Sequence, residues 1–109
     1  MSDVKKAVVQ LFSDVLPEPE FDFPLEERRV SGNPKRTTWS HFVNDSGEVY
    51  MGVWASEVGA WHIEMGPTED EYFYVIEGRG RIVGDLAAKE FAAGDAVVIH
   101  TPAYDAFYK

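Results

Sequence analysis

The chain has 109 residues, of which 45% are hydrophobic and 14% aromatic, and this composition indicates one globular domain that can fold without disulfide or metal staples. It contains no cysteine and has a net charge of −9. Disulfides and thiolate zinc sites are therefore excluded, and binding to nucleic acid or an anionic membrane is disfavoured because both need a basic surface. Since no segment has the length of a membrane span and no signal peptide is recognisable, we expect a cytoplasmic protein.

Residues 1–28 are predicted to form a helix and an extended arm ahead of the main domain. Apolar residues recur at three- and four-residue spacings within 2–16, which is the pattern of one helix face, and Pro17 ends it. We expect this helix to pack on its own domain, with docking of a partner as the alternative. The segment 17–38 is rich in proline and has little periodicity, which is typical of an extended wrapping segment.

The main domain is predicted to span residues 29–109 and to be all-β. Short apolar runs alternate with turns that contain glycine, asparagine or aspartate. Many short strands at even spacing are typical of an antiparallel sandwich or barrel. The predicted strands cover residues 39–43, 49–57, 60–65, 71–77, 78–83, 89–91, 96–100 and 104–108.

The strand 71–77 is the one around which the site is predicted. Side chains alternate along a strand, so Glu71, Phe73 and Val75 share one face. Both faces are largely apolar, and we expect both to be covered. A carboxylate on an inner face is costly unless it is paired, so Glu71 is the first candidate for a ligand or an acid/base group. The structural alternative is an ion pair with Arg79 or Arg81.

Several motifs from Arg29 onward resemble a known family. They are Thr38-Trp39, Gly52-Val53-Trp54, Gly59 with Trp61, the run EYFYVIEG at 71–78, and Gly94-Asp95 before a Val/Ile run. Over about three quarters of its length the chain resembles a small single-domain cupin of the ureidoglycine aminohydrolase-like group. That resemblance implies a jelly-roll β-barrel, or double-stranded β-helix, whose interior holds a ligand or a divalent metal.

The resemblance also implies candidate metal ligands, although the histidines of the family motif are displaced. Without gaps, Met65 and Pro67 stand at the two histidine positions, and neither is a ligand for a hard cation. With a loop two residues longer, His62 and Glu64 take those positions and could point into the barrel beside Glu71. Such a set would suit Fe(II), Mn(II), Zn(II) or Ni(II). The second motif supplies Asp105, His100 or no residue as the fourth ligand.

The functional expectation is a cupin that binds a small polar metabolite, with Glu71 as the candidate catalytic residue. The predicted pocket is lined by Trp54, Phe73, Val75 and Tyr104. The resemblance favours nitrogen-containing ligands such as ureido compounds or amines. The ungapped alignment favours the alternative, a metal-free and non-catalytic binding or sensing module.

A homodimer is also expected. Similar cupins continue through another strand beyond the position of Lys109, and open strand edges invite pairing with a second copy.

Overall fold

The computed structural model describes residues 6–100 and 103–109, without the side chain of Tyr104. The predicted all-β class is confirmed, because the chain forms ten antiparallel strands and no helix longer than a single 3-10 turn in the described part. The strands are β1 Glu20–Asp22, β2 Arg29–Ser31, β3 Arg36–Val43, β4 Tyr50–Ser56, β5 Gly59–Glu64, β6 Glu71–Tyr74, β7 Arg79–Val83, β8 Ala88–Ala92, β9 Ala96–Ile99 and β10 Ala103–Tyr108.

Three sheets are built from these strands. The largest has the order β2-β5-β10-β7-β8, a second has the order β1-β3-β4, and β6 pairs with β9. The core lies between the five-stranded sheet and the β6–β9 pair. It is made of apolar side chains from both layers: Val75, Ile82, Phe91, Ile99 and Ala106.

Turns lie where the sequence places residues that tolerate unusual backbone angles. Gly47 closes the β3–β4 hairpin at a φ of +73°, and the Asn44 side-chain oxygen accepts hydrogen bonds from the backbone of Glu48 and Val49. Gly94 has a φ of +95° in the β8–β9 turn. An L side chain is strained at such angles, so these glycines fix the turns.

The helix predicted over 2–16 is wrong for the part described, residues 6–16. Only a 3-10 turn, Phe12–Asp14, forms there. Val8, Val9 and Leu16 are almost fully exposed, so an apolar helix face would have no surface to pack on. A helix this short is marginal in water without tertiary contacts.

One further expectation about the strands needs correction. The outer face of β6 is not covered, because Tyr72 and Tyr74 are 66% and 58% exposed. The segment 17–38, expected to be extended, also contributes two strands that were not predicted, β1, which pairs with β3, and β2, which pairs with β5. Both pairings join residues distant in sequence, which local patterns do not reveal.

Candidate functional site

Glu71 lies at the start of β6, on the face of the strand that points toward the protein interior. It stands directly opposite Ile99 of β9, and Ile99 is only 5% exposed. Directly paired residues of antiparallel strands point to the same side. Phe73, two residues further on the same face, packs against the core. The half-buried Glu71 carboxylate is therefore at the rim of the interior.

Tyr108, near the end of β10, lies among aromatic rings on the same inner side. Its ring centroid is 5.0 Å from that of Trp61, with the rings nearly parallel, and 5.0 Å from that of Trp54. Trp61 is 2% exposed, whereas Trp54 is 41% exposed. We call the region formed by Trp54, Trp61, Tyr108, Glu71 and Arg36 the aromatic cleft. Its floor is buried and its Trp54 wall is open to solvent.

The electrostatics of the cleft centre on the Tyr108 hydroxyl. Burial raises the pKa of the Tyr108 phenol above its ordinary value, the negative charge of Glu71 raises it further, and the positive charge of Arg36 lowers it. Tyr108 is therefore a neutral hydrogen-bond donor at physiological pH, near one carboxylate and one guanidinium.

Arg36 is held in the cleft by two sets of contacts. Its Nε and Nη2 atoms donate to the two carboxylate oxygens of Asp22 at 2.8 and 2.6 Å. Its guanidinium carbon lies 5.1 Å from the Trp61 ring centroid. Bidentate pairing and stacking on an indole fix the planar guanidinium in one orientation.

The cleft lies between two strand edges. β4 is the last strand of its three-stranded sheet, and β6 pairs with β9 alone among the described strands. Trp54 comes from β4 and Glu71 from β6, while Trp61 and Tyr108 belong to β5 and β10 of the sheet beneath. Trp54 contributes the most exposed ring of the cleft.

The predicted pocket residues lie in different regions of the structure. Trp54 lines the aromatic cleft. Phe73 and Val75 instead belong to the packed core, where Phe73 contacts the edge of the Phe91 ring at 5.3 Å between centroids. Apolar side chains fill this part of the interior. The side chain of Tyr104 lies outside the described part of the chain.

Three of the predicted metal ligands, His62, Glu64 and Asp105, lie together on the outer face of the sheet and apart from Glu71, which corrects the expectation that His62 and Glu64 point inward. Trp61 and Ile63 pack inside, so the alternate residues of β5 face outward. His62 contacts Asp105 there, with 2.6 Å between Nδ1 and Oδ1, and its Nε2 is 3.7 Å from Oε1 of Glu64.

Glu71, on the inner face, is separated from these three side chains by the sheet. Within residues 6–100 and 103–109, no group of three histidine, aspartate or glutamate side chains could hold a metal ion. The remaining candidate, His100, is exposed after β9. The residues present do not fit the metal centre that the resemblance implied.

Three residues of the cleft were missed by the sequence reasoning, namely Arg36, Trp61 and Tyr108. A signal existed for Trp61, because residues 61–65 alternate between apolar and polar side chains. That pattern predicts the apolar residues inside. Arg36 is one of four basic residues within 28–36. No local sequence pattern indicated that its side chain would lie on an inner face.

Comparisons with known proteins agree with the fold. The family model described as EutQ-like cupin domain matches residues 43–102, more than half of the chain, and this range includes Trp54, Trp61 and Glu71. A search of curated proteins found no match. The match does not confirm the more specific ureidoglycine aminohydrolase-like group. No helix among the described residues is long and apolar enough to cross a membrane. The chain thus belongs to the family of EutQ-like cupin domains, and its sheets form the cupin jelly roll.

Proposed function

We propose that this cupin domain binds a small polar metabolite in the aromatic cleft. One observation carries the proposal: a carboxylate, a neutral phenol and an oriented guanidinium meet beside two indole rings. A concave site with apolar walls and a few convergent polar groups is the usual form of a ligand pocket.

The chemistry of the cleft favours a nitrogen-containing ligand with an oxygen acceptor. The Glu71 carboxylate would accept a hydrogen bond from an amine or ureido N–H, and the indole and phenol faces attract a cation. Arg36 and Tyr108 would donate to a carbonyl or carboxylate at the other end of the ligand. Ureido compounds and amines that also carry a carbonyl or carboxylate match both requirements.

The proposal is one of binding and uses no metal. His62, Glu64 and Asp105 lie on the outer face of the sheet, so no step of the proposal passes through an ion held by them. Glu71 has the role of a ligand anchor, and a catalytic role for it stays a prediction.

The test is a thermal-shift screen with small amines, ureido compounds and amino acids, each beside a carboxylate-only analogue. A ligand that prefers the native state raises the melting temperature. We expect a hit among the nitrogen compounds, and we expect Glu71→Gln to weaken its Kd by about tenfold or more because a charged hydrogen bond is lost.

The matched control is Glu77→Gln. It makes the same change at an exposed position six residues away and should leave the Kd unchanged. A hit whose affinity is the same in Glu71→Gln and Trp54→Ala as in the unaltered protein would place the binding site elsewhere. A screen in which none of the nitrogen compounds raises the melting temperature would also count against the proposal.

A further inference from the structure

The outer face of the β6–β9 pair is an exposed apolar surface with two aromatic rings. Tyr72 stands directly opposite Val98, and Tyr74 stands opposite Ala96, so the side chains of both pairs point to the same side of the sheet. Tyr72, Tyr74 and Val98 are 66%, 58% and 64% exposed. We call this surface the tyrosine face. Phe73, between the two tyrosines, points the other way and packs against the core.

The two ends of β6 carry exposed carboxylates. Asp70 immediately precedes the strand, and Glu77 follows it after three residues. Residues 66–78 and 90–108, which include all of β6 and β9, contain no lysine or arginine. Among the described residues, no ion pair joins Asp70 or Glu77 to a basic side chain. Both carboxylates are therefore available to a cation from outside the domain.

This combination of rings and carboxylates is complementary to a row of cationic side chains. The faces of exposed phenol rings attract the guanidinium or ammonium groups of arginine and lysine, and the carboxylates at the two ends add to the attraction. The same carboxylates repel nucleic acid and anionic membranes. A second copy of the chain, with its net charge of −9, would set like charges against one another if it docked through the same face.

The spacing of the two tyrosines matches that of an extended peptide. They are two residues apart on one strand, so their rings stand about 7 Å apart. An extended peptide with a basic residue at every second position presents its cationic groups on one side with the same period.

We propose that the tyrosine face binds an extended segment of another protein that carries arginine or lysine at alternate positions. Two of its basic side chains lie over Tyr72 and Tyr74, and the flanking ones pair with Asp70 and Glu77. The interaction uses the face of β6 opposite to Glu71 and does not depend on the proposed ligand.

The test is fluorescence anisotropy with the full chain and a labelled octapeptide of alternating arginine and threonine, at physiological ionic strength. We expect saturable binding of this peptide and none of its counterpart with glutamate in place of arginine. Tyr72→Thr combined with Tyr74→Thr should weaken the Kd by about fivefold or more, because two cation–π contacts are lost. Tyr50→Thr is the control, since it removes a phenol that is 71% exposed on β4, and it should leave the Kd unchanged.

A second pair of variants separates local attraction from the overall acidity of the chain. Asp70→Asn combined with Glu77→Gln should weaken the Kd by about threefold or more. Asp45→Asn combined with Glu48→Gln removes the same charge from exposed positions between β3 and β4 and should leave the Kd unchanged. The melting temperature of each variant reports whether its fold is intact.

Four outcomes would overturn the proposal. They are the absence of saturable binding, an unchanged Kd in the folded double tyrosine variant, equal weakening in the two charge variants, and equally tight binding of a peptide with four consecutive arginines followed by four threonines. Sedimentation without peptide gives a further check. Self-association that disappears in the double tyrosine variant would show that a second copy covers the tyrosine face instead.

Discussion

At the scale of single residues, the cleft shows how a polar group is kept on an inner face. The Tyr108 ring packs against both Trp54 and Trp61, which supplies apolar contact, while its hydroxyl group lies in the fields of Glu71 and Arg36. Burial favours the neutral phenol, and the nearby carboxylate favours it further. Tyr108 therefore combines packing with a hydrogen-bonding role that phenylalanine would not provide.

The raised pKa of Tyr108 predicts a loss of stability at alkaline pH. The unfolded phenol ionises near its ordinary pKa of about 10, whereas the native phenol stays protonated to a higher pH. The contribution of the neutral Tyr108 phenol to the free energy of unfolding is complete below about pH 10. Above that pH the free energy of unfolding falls by at most about 1.4 kcal/mol per pH unit. Urea unfolding between about pH 9 and 11 should show this decline, and Tyr108→Phe should reduce it.

The control for this prediction is Tyr50→Phe, which removes an exposed phenol and should leave the alkaline decline as it is in the unaltered protein. If Tyr108→Phe and the unaltered protein lose stability in parallel above pH 10, the phenol is not held neutral by the fold.

At the scale of elements, β5 and β10 divide the molecule into an inner and an outer side. Trp61 and Ala106 are buried on the inner side, and His62 and Asp105 face each other across the two strands on the outer side. Their 2.6 Å contact is a partly exposed cross-strand pair, which typically contributes less than about 1 kcal/mol. It supports the register of β5 and β10 and adds little to total stability.

Close packing within the five-stranded sheet predicts a cost for a methyl group in β7. A Cβ at Gly80 would lie 2.4 Å from the Phe91 ring and 2.5 Å from the Phe107 carbonyl oxygen, and the backbone oxygen cannot move without disturbing β10. We expect Gly80→Ala to lower the free energy of unfolding by about 1–3 kcal/mol, measured by urea denaturation.

Gly84→Ala is the comparison, because the nearest atom to its Cβ would be the Ala87 oxygen at 3.7 Å, an ordinary contact. If Gly80→Ala and Gly84→Ala are equally stable, the packing around Gly80 has room for a methyl group.

At the scale of the whole molecule, the buried core is small for the length of the chain. Seven hydrophobic residues of the described part of the chain are buried, and the molecule measures 55 × 29 × 28 Å. A domain with this shape has a large surface relative to its core and gains stability by covering part of that surface. The homodimer expected from the sequence would supply that cover.

Association of this kind predicts that the melting temperature depends on protein concentration. Mass action stabilises a native dimer as concentration rises, so scanning calorimetry over a hundredfold range should show an increasing melting temperature for the unaltered protein. A melting temperature independent of concentration would argue against association.

The sequence by itself determined the class of the fold and the positions of strands β3 to β10. Turns and strands depend on residues that are close together in the sequence, namely turn glycines such as Gly47 and Gly94 and alternating apolar residues. Such local patterns can be recognised without the tertiary structure. The sequence also placed Glu71 and Phe73 on one face, because the period of a strand is two.

Only the tertiary structure decided between two interpretations of β5: the gapped alignment placed His62 and Glu64 inside, whereas the alternation of apolar and polar residues placed Trp61 inside. Trp61 is buried against Tyr108, and that burial turns both polar residues outward. Tertiary contacts likewise decided that no helix forms at 6–16, that β1 and β2 pair with other strands, and that Arg36 lies in the cleft. Each depends on contacts between residues distant in the chain, whose free energy is available only once the sheets have closed on one another.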